Sequence, residues 1–425
     1  MLFVNSLLFI LFCLAGLYFL FNEGRMIAHP FIKKEIFFAT GPQILLIFTM
    51  ATGMFMLGRD YNSPRLLIWI IYLFIGLFIV KGEIKFTLAS GLYMLYILYL
   101  FFSFSFLSPD KWFGVRVIAK YIFPLFVLLF ANKVTNTEYI VFSGIKYAFI
   151  IAIFTEISYF FWFPWAIEGT LWAPATFVDH LVAMCAIALA LFYITSKKKY
   201  LWLLIFFFAY PLIVTIRTGI VGITACLSVF FLFKYKWKAV PVIAFVVIAA
   251  VLVILYVPNV RDKMFRKQMT AEEVMENSDN LTFDDIDTSG RQAMWEWSLK
   301  NYYQNNKIFG TGVGNLQKVF YTEKHPFGTM KIVHNDFVQI LCDNGLVGLI
   351  LYLSISLSLV IHSFFIYNNK RNNEMIRLCA IVAGSSLVGI LCTSYTDNAV
   401  NYSLATYCYP YAFYGMALGL RQKYE

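Results

Sequence analysis

Long apolar runs separated by short polar links occupy most of the chain. A helix that crosses a bilayer needs about 20 apolar residues, because the hydrocarbon is about 30 Å thick and each residue adds about 1.5 Å. The runs that meet this criterion are 2–21, 36–57, 66–80, 86–107, 113–131, 139–163, 175–195, 200–216, 219–235, 239–257, 345–367, 376–396 and 403–420. The pattern therefore predicts an all-α, polytopic integral membrane protein with about 12–13 transmembrane helices.

One long stretch interrupts the apolar pattern. Between Arg261 and Lys331 there are ten Lys/Arg and ten Asp/Glu residues, and the acids concentrate in the first part, which is typical of a solvated surface. The pattern divides the chain into an N-terminal transmembrane bundle (1–257), a loop with short helices (258–344) and C-terminal transmembrane helices (345–425).

Local signals predict short helices inside this loop. Asp287-Thr288-Ser289 can cap a helix that begins near Arg291, and Gly310-Thr311-Gly312-Val313-Gly314 predicts a turn after it. The glycines do not predict a nucleotide site, because that fingerprint follows a strand in a βαβ unit. The run from His334 to Asn344 predicts a short amphipathic helix that ends where the next span begins, at Gly345.

Composition supports a membrane protein. Hydrophobic residues make up 60% of the chain and charged residues only 14%, whereas a soluble protein has about 25% charged residues. The net charge of +10 does not indicate nucleic-acid binding, because the basic residues form short clusters between apolar runs. The seven cysteines form no C-x-x-C pair, so neither a zinc site nor a disulfide framework is indicated.

The basic clusters also predict the orientation in the membrane. Lys197–Lys199, Lys234–Lys238, Lys370–Arg377 and Arg421–Lys423 agree with one another as cytoplasmic links. They place the long loop on the outer side. Thirteen spans would put the N-terminus outside, and twelve or fourteen would put it inside.

Arg217 is the first candidate functional residue. It lies in the sequence Thr215-Ile216-Arg217-Thr218-Gly219, between two apolar runs with almost no loop. A charge at this depth is costly and normally has a partner, and a planar guanidinium suits a phosphate or pyrophosphate. The alternative is an interfacial arginine that snorkels to the lipid headgroups.

The loop supplies Arg291 and His334. Arg291 opens a predicted helix, so its guanidinium and the free N–H groups of the first turn can face an anion, although a surface arginine fits equally well. His334 precedes Asn335 near the next span, where a histidine can accept a proton from a hydroxyl. An isolated loop histidine is otherwise a surface or capping residue, and His334-Asn335-Asp336 is too compact for a metal site.

Two further pairs of polar residues lie within predicted spans. Arg116 and Lys120 are one helical turn apart and share a face, so they can bind a lipid phosphate or simply lie at the interface. Asp179 and His180 lie near the outer start of their span and can line the same cavity. Together with Asn335, these four are candidate substrate-binding residues.

Three pieces of sequence occur in a characteristic order around the loop. They are Thr215-Ile216-Arg217, then Ser289-Gly290-Arg291 with Trp295 and the turn Gly310–Gly314, then His334-Asn335 with Gln339, Asn344, Gly345 and Gly348. In this order, and in having one large loop followed by a few closing helices, the chain resembles the O-antigen ligase and polymerase superfamily of bacterial glycosyltransferases over about 200–396.

The resemblance implies a function. Family members take a glycan from an undecaprenyl-diphosphate carrier at the periplasmic face of the inner membrane, and they need neither a sugar nucleotide nor a metal or other cofactor. Ligases pass the glycan to the lipid A core, and polymerases pass it to another carrier-linked repeat unit. By this resemblance Arg217 and Arg291 match the arginines that hold the donor pyrophosphate, and His334 matches the histidine proposed to activate the acceptor hydroxyl.

The sequence before the histidine favours a polymerase. Many ligases have His-x-His-Asn, whereas this chain has Ile332-Val333-His334-Asn335. A ligase is the alternative. A polysaccharide transporter or flippase would be expected to contain an internal repeat with paired broken helices, and no convincing repeat is present. A structural membrane protein would leave Arg217, Arg291 and His334 unexplained.

Overall fold

The computed structural model describes residues 2–28, 36–53, 59–160, 174–258, 261–262 and 290–424. The first part of the chain forms α1 (Leu2–Phe21), strands β1 (Arg25–Ala28) and β2 (Ile36–Ala39), α2 (Gly41–Thr52), α3 (Arg59–Ile79), α4 (Leu88–Phe106), α5 (Lys111–Val134) and α6 (Glu138–Phe160). The second part forms α7 (Pro174–Thr195), α8 (Lys199–Ile213), α9 (Arg217–Tyr235), α10 (Val240–Tyr256), α11 (Arg291–Ser298), α12 (Asn315–Thr322), α13 (Asp336–Asn368), α14 (Glu374–Ser394) and α15 (Cys408–Tyr424).

Several of these helices have the length and apolar surface of membrane spans. Seven stretches of the described residues are long and apolar enough to cross a bilayer, and four shorter apolar helices accompany them. In α10 the apolar side chains face outward, and Phe245 is 71% exposed. Such a surface is stable in hydrocarbon but not in water. The structure thus confirms the predicted all-α polytopic membrane fold.

The predicted span 36–57 is wrong at its beginning. Residues Ile36–Ala39 pair antiparallel with Arg25–Ala28 as β2 and β1. Helix α2 begins only at Gly41, where Thr40 and Gln43 form a capping box, and it has 12 residues. That length is about 18 Å, well short of the hydrocarbon thickness. Residues 54–58 lie outside the described residues.

Two other predicted spans begin at different residues in the structure. The span 66–80 is part of the longer α3, which begins at Arg59 and includes Pro64. The span 403–420 corresponds to α15, which begins at Cys408 after a 3₁₀ turn at Ala399–Tyr402. Helix α3 begins earlier than predicted because a polar turn of helix precedes the apolar run, whereas α15 begins later because residues 403–407 form turns.

Helix α13 contains a break at the predicted position. Gly345 has φ 62° and ψ −165°, so a short helix from Asp336 to Asn344 is separated from the long apolar helix that follows. Gly345 packs against the backbone at Ile308 and Gly310, which leaves no room for a Cβ atom. The short helix is thereby attached to the loop.

The described part of the loop has its own small core. Met294, Leu316, Phe320, Val333 and Val338 are buried together with Cys342. Helices α11 and α12 pack through these side chains on the short first part of α13. This core positions the residues just before α13, and we call the surrounding end of the helical bundle the site end.

Candidate functional site

The residues before and after His334 in the chain fix its position. Its φ of 52° is unusual for a residue with a side chain, and such strain persists only where neighbours fix it. Before it, Val333 is buried and its carbonyl accepts a hydrogen bond from Trp295 Nε1 at 2.9 Å. After it, Asn335 caps α13 by accepting from the Val338 N–H at 3.0 Å. The imidazole itself remains 22% exposed.

The partner of His334 is Asp397, which the sequence interpretation had not selected. His334 Nδ1 lies 3.0 Å from Asp397 Oδ1, and the Asp397 side chain is only 9% exposed. A carboxylate can only accept a hydrogen bond, so this contact assigns the ring proton to Nδ1 and leaves Nε2 as an acceptor. Asp397 lies in the link between α14 and α15. The sequence does contain a signal for Asp397, because it is an acid between two apolar runs, on the same predicted side of the membrane as His334.

Asp336 anchors this link. Its carboxylate accepts from Asn398 Nδ2 at 3.0 Å and from the Val400 N–H at 3.0 Å, and Asp336 is buried. Asn398 also donates to Gln339 Oε1 at 3.1 Å. These bonds tie the link to the first turns of α13, so the two residues of the His334–Asp397 pair keep a fixed distance.

His334 opens onto a cavity of about 370 Å³ at the site end. Basic side chains of Arg116, Lys120 and Lys331 line the same cavity. Among the described residues that line it there is no Asp or Glu. The cavity is therefore suited to an anionic ligand next to a histidine.

Arg116 and Lys120 enter this cavity from the first turns of α5. The Arg116 guanidinium lies 5.6 Å from the Phe113 ring centroid and 5.7 Å from that of Tyr321. Lys120 is buried, donates to Asn401 Oδ1, and lies 3.5 Å from Gln317 Oε1. Neutral amides and aromatic rings thus hold both side chains in place, and no carboxylate of the described residues forms an ion pair with either of them.

The predicted glycine turn positions the wall of the cavity. Gly310, Gly312 and Gly314 have φ values of 75°, 104° and 84°, so the turn is confirmed. Asp343 accepts from the Gly314 N–H at 3.1 Å and from the Leu316 N–H at 2.7 Å. This carboxylate caps α12, the helix that carries Gln317 and Tyr321 into the cavity.

Arg291 lies beside the His334–Asp397 pair but does not line the cavity. It is the first residue of α11, and the N-cap is Gly290 in the left-handed conformation, without a side-chain cap. The predicted cap, Asp287–Ser289, lies outside the described residues. The Arg291 guanidinium donates to the carbonyl of Thr396, the residue before Asp397.

Arg217 is the first residue of α9 and also does not line this cavity. The turn before it is tight, since Thr215 has φ 56°. Two residues further along the chain, Gly219 packs against Val178 of α7. The structure therefore places Arg217 near the beginning of α7, where Asp179 lies.

Asp179 and His180 are buried in α7 and lie outside the lining of the cavity. Asp179 is close enough to Asp397 and Asp336 to interact with them electrostatically. The His180 ring packs edge-on to Tyr409 at 4.9 Å, and neither of its nitrogens has a hydrogen-bond partner among the described residues. Asp179 is thus a neighbour of the site, whereas His180 is packed as a core residue.

The structure brings together His334, Arg116 and Lys120 at the cavity, whereas Asn335 is buried next to His334 as the cap of α13. Arg291 and Asp179 lie near Asp397 on the other side of the His334–Asp397 pair, and Arg217 lies near the beginning of α7.

Part of the chain matches a known protein family. Residues 202–353 match the family model described as O-antigen ligase, and the matched segment contains Arg217, Arg291 and His334. The match confirms the predicted resemblance to the O-antigen ligase and polymerase superfamily, which implies membrane glycosyltransferase activity of that type. No curated protein matches the chain.

Proposed function

We propose that this protein transfers a glycan from an undecaprenyl-diphosphate carrier to an acceptor hydroxyl during surface-polysaccharide (O-antigen) biosynthesis. The observation that carries the proposal is the basic cavity at the site end, in which His334 is paired with Asp397 beside Arg116 and Lys120. The protein would reside in the bacterial inner membrane, with the cavity on the periplasmic side.

His334 acts as the base in this proposal. Its Nε2 accepts the proton of the acceptor hydroxyl while Asp397 holds the ring and stabilises the imidazolium that forms. The acceptor oxygen forms a bond to the anomeric carbon of the donor glycan. The bond from that carbon to the diphosphate oxygen breaks, and its electron pair leaves with the carrier diphosphate.

Basic side chains stabilise the leaving group. Negative charge grows on the diphosphate as the glycosidic bond breaks, and preorganised cations lower the energy of that state. Arg116 and Lys120 can supply this charge inside the cavity, so the reaction does not require a metal ion. The apolar carrier chain stays in the bilayer beside α5, and only the diphosphate and the sugar enter.

The family resemblance implies that Arg217 and Arg291 bind the donor diphosphate, and mutagenesis tests this role. As donor-binding residues they would hold the diphosphate from the other side of the His334–Asp397 pair. We therefore expect Arg217→Ala, Arg291→Ala and His334→Ala each to fail to restore polysaccharide in a strain that lacks the gene, although each variant reaches the membrane. Restoration by all three would overturn the assignment.

The acceptor determines the type of enzyme, and the sequence before His334 favours a polymerase. Electrophoresis of lipopolysaccharide from a deletion strain distinguishes the types. A core that carries a single repeat unit indicates a polymerase. A bare core, with glycan accumulating on the carrier lipid, indicates a ligase. Carrier-lipid flipping in vesicles without glycan transfer would instead indicate a flippase.

A further inference from the structure

A second, smaller cavity lies at the end of the bundle opposite to His334. It has a volume of about 120 Å³ and lies where the last turns of α7 and α9 meet the beginning of α14. Its lining includes Tyr193, Lys234, Tyr367 and Arg377, with the exposed Glu374 as the one acid among its described lining residues. We call it the basic recess. The proposed glycan transfer does not use it.

Aromatic rings hold both cations of the basic recess. Lys234 Nζ lies 3.4 Å from the Tyr193 ring centroid and 5.6 Å from that of Tyr235, and the two tyrosine hydroxyls are 3.1 Å apart. The Arg377 guanidinium lies 4.9 Å from the Tyr367 ring centroid, and its Nε donates to the Tyr367 carbonyl at 2.9 Å. Both side chains are therefore fixed in place before any ligand arrives.

These contacts leave the positive charge uncompensated. No carboxylate of the described residues lies within 4.0 Å of Lys234 or Arg377, although Glu374 is at the rim. The two cations are close enough to repel each other. Two like charges held together in one recess are unfavourable until an anion lies between them. Cation–π contacts orient the cations and leave their charge available to an anion.

The chemistry of the recess favours a phosphate group. A planar guanidinium binds two phosphate oxygens and an ammonium contributes a point charge, and the small volume suits a tetrahedral anion. Exposed basic residues surround the recess at Lys236, Lys238, Lys370 and Arg371, and Trp237 is 85% exposed. Basic and aromatic residues together are typical of a surface that meets anionic lipid headgroups.

We propose that the basic recess binds a phosphate group through Lys234 and Arg377. The phosphate can come from the headgroup of an anionic phospholipid or from free phosphate, and the two sources are distinguishable.

The experiment uses the full-length protein purified in a neutral detergent. Short-chain phosphatidylglycerol, short-chain phosphatidylcholine and inorganic phosphate are titrated separately, and the thermal midpoint is recorded, because a ligand that binds only the folded state raises it. A rise with phosphatidylglycerol but not with phosphatidylcholine or inorganic phosphate identifies a lipid headgroup. A rise with inorganic phosphate as well identifies the phosphate alone as sufficient. No rise with any of them overturns the proposal.

Variants assign the response to the recess. We expect Lys234→Gln combined with Arg377→Gln to weaken binding about tenfold or more, which corresponds to the loss of one or more charge-assisted contacts. The matched control, Lys197→Gln combined with Lys198→Gln, removes two exposed charges at the same end of the bundle that do not line the recess, and it should bind like the unaltered protein. An equal loss in the control, or no loss in the recess variant, contradicts the assignment. If the double variant does not fold, ligand binding by Lys234→Gln alone is compared with that of the control.

Discussion

The basic residues on the two sides of the His334–Asp397 pair differ in the groups that they contact. On the cavity side, Arg116 contacts two aromatic rings and Lys120 contacts amide oxygens, and both side chains line an open space. On the other side, Arg291 donates to the backbone carbonyl that precedes Asp397. The difference suggests two kinds of function: the cavity cations can meet a ligand directly, whereas Arg291 can also act by fixing the position of Asp397.

Loss of the base is expected to have the largest effect. His334→Ala should lower the rate of glycan transfer about a hundred- to ten-thousandfold, because general base catalysis contributes on that order. The rate is measured with membranes and a carrier-linked glycan donor. His325→Ala, which removes the other loop histidine, is the matched control and should stay close to the unaltered rate. Equal losses in both variants would argue against a special role for His334.

Loss of the carboxylate should come next. Asp397→Asn keeps the size of the side chain but can donate to Nδ1, which favours the wrong ring tautomer. We expect the turnover rate to fall about a hundredfold or more with little change in the donor KM. Asp262→Asn removes an exposed acid outside the site and serves as the control. A change confined to the donor KM would contradict the positioning role.

The cavity cations should affect donor binding. Arg116→Gln and Lys120→Gln should each raise the donor KM about tenfold, because each removes a charge-assisted contact to the diphosphate. Steady-state kinetics over a range of donor concentration measures this change. Suppose that the donor KM is unchanged in both variants but changes strongly in Arg217→Gln and Arg291→Gln. The diphosphate would then bind on the other side of the His334–Asp397 pair and not in the cavity.

Arg291→Lys separates the two functions available to Arg291. A lysine can still donate to the Thr396 carbonyl, so a positioning role predicts a rate reduced only about tenfold, well above that of Arg291→Ala. A bidentate contact with the diphosphate predicts that lysine fails as alanine does, since the ammonium lacks the planar fork. Initial rates of the two variants decide between these roles.

The smallest effect is expected at the buried histidine. His180→Phe replaces a ring that has no hydrogen-bond partner in the described part of the chain by an apolar ring of similar shape against Tyr409. We expect the transfer rate to stay within about twofold and the thermal midpoint to remain equal or rise, because buried unpaired nitrogens are unfavourable. A large loss of activity with an unchanged midpoint would show that His180 takes part in function.

Much of the fold follows from the sequence because the bilayer sets the length of each apolar run. The predicted span 86–107, for example, differs by one or two residues from helix Leu88–Phe106. Pairing of β1 with β2 could not be foreseen in the same way, since an apolar strand and the first turn of a helix look alike over four residues.

The candidate site was less predictable than the fold. His334 was predicted because a histidine near a span can accept a proton and because it matches the histidine of the family, but its partner lies 63 residues away, in a link without a motif. Arg116 and Lys120 belong to α5, and only the packed fold brings them to the same cavity as His334. Periodicity assigns residues to faces of one helix and does not report which helices meet.

The position of Asp397 has a consequence for biogenesis. His334 precedes α13, whereas Asp397 follows α14, so the pair forms only after both helices are inserted and the link between α14 and α15 has reached the same end. A nascent or truncated chain that ends before this link contains the whole matched segment 202–353 but lacks the carboxylate. Under the proposed function, the His334–Asp397 pair is thus completed only after α14 and the link that follows it are in place, and a partly inserted chain that lacks this link would not transfer glycan.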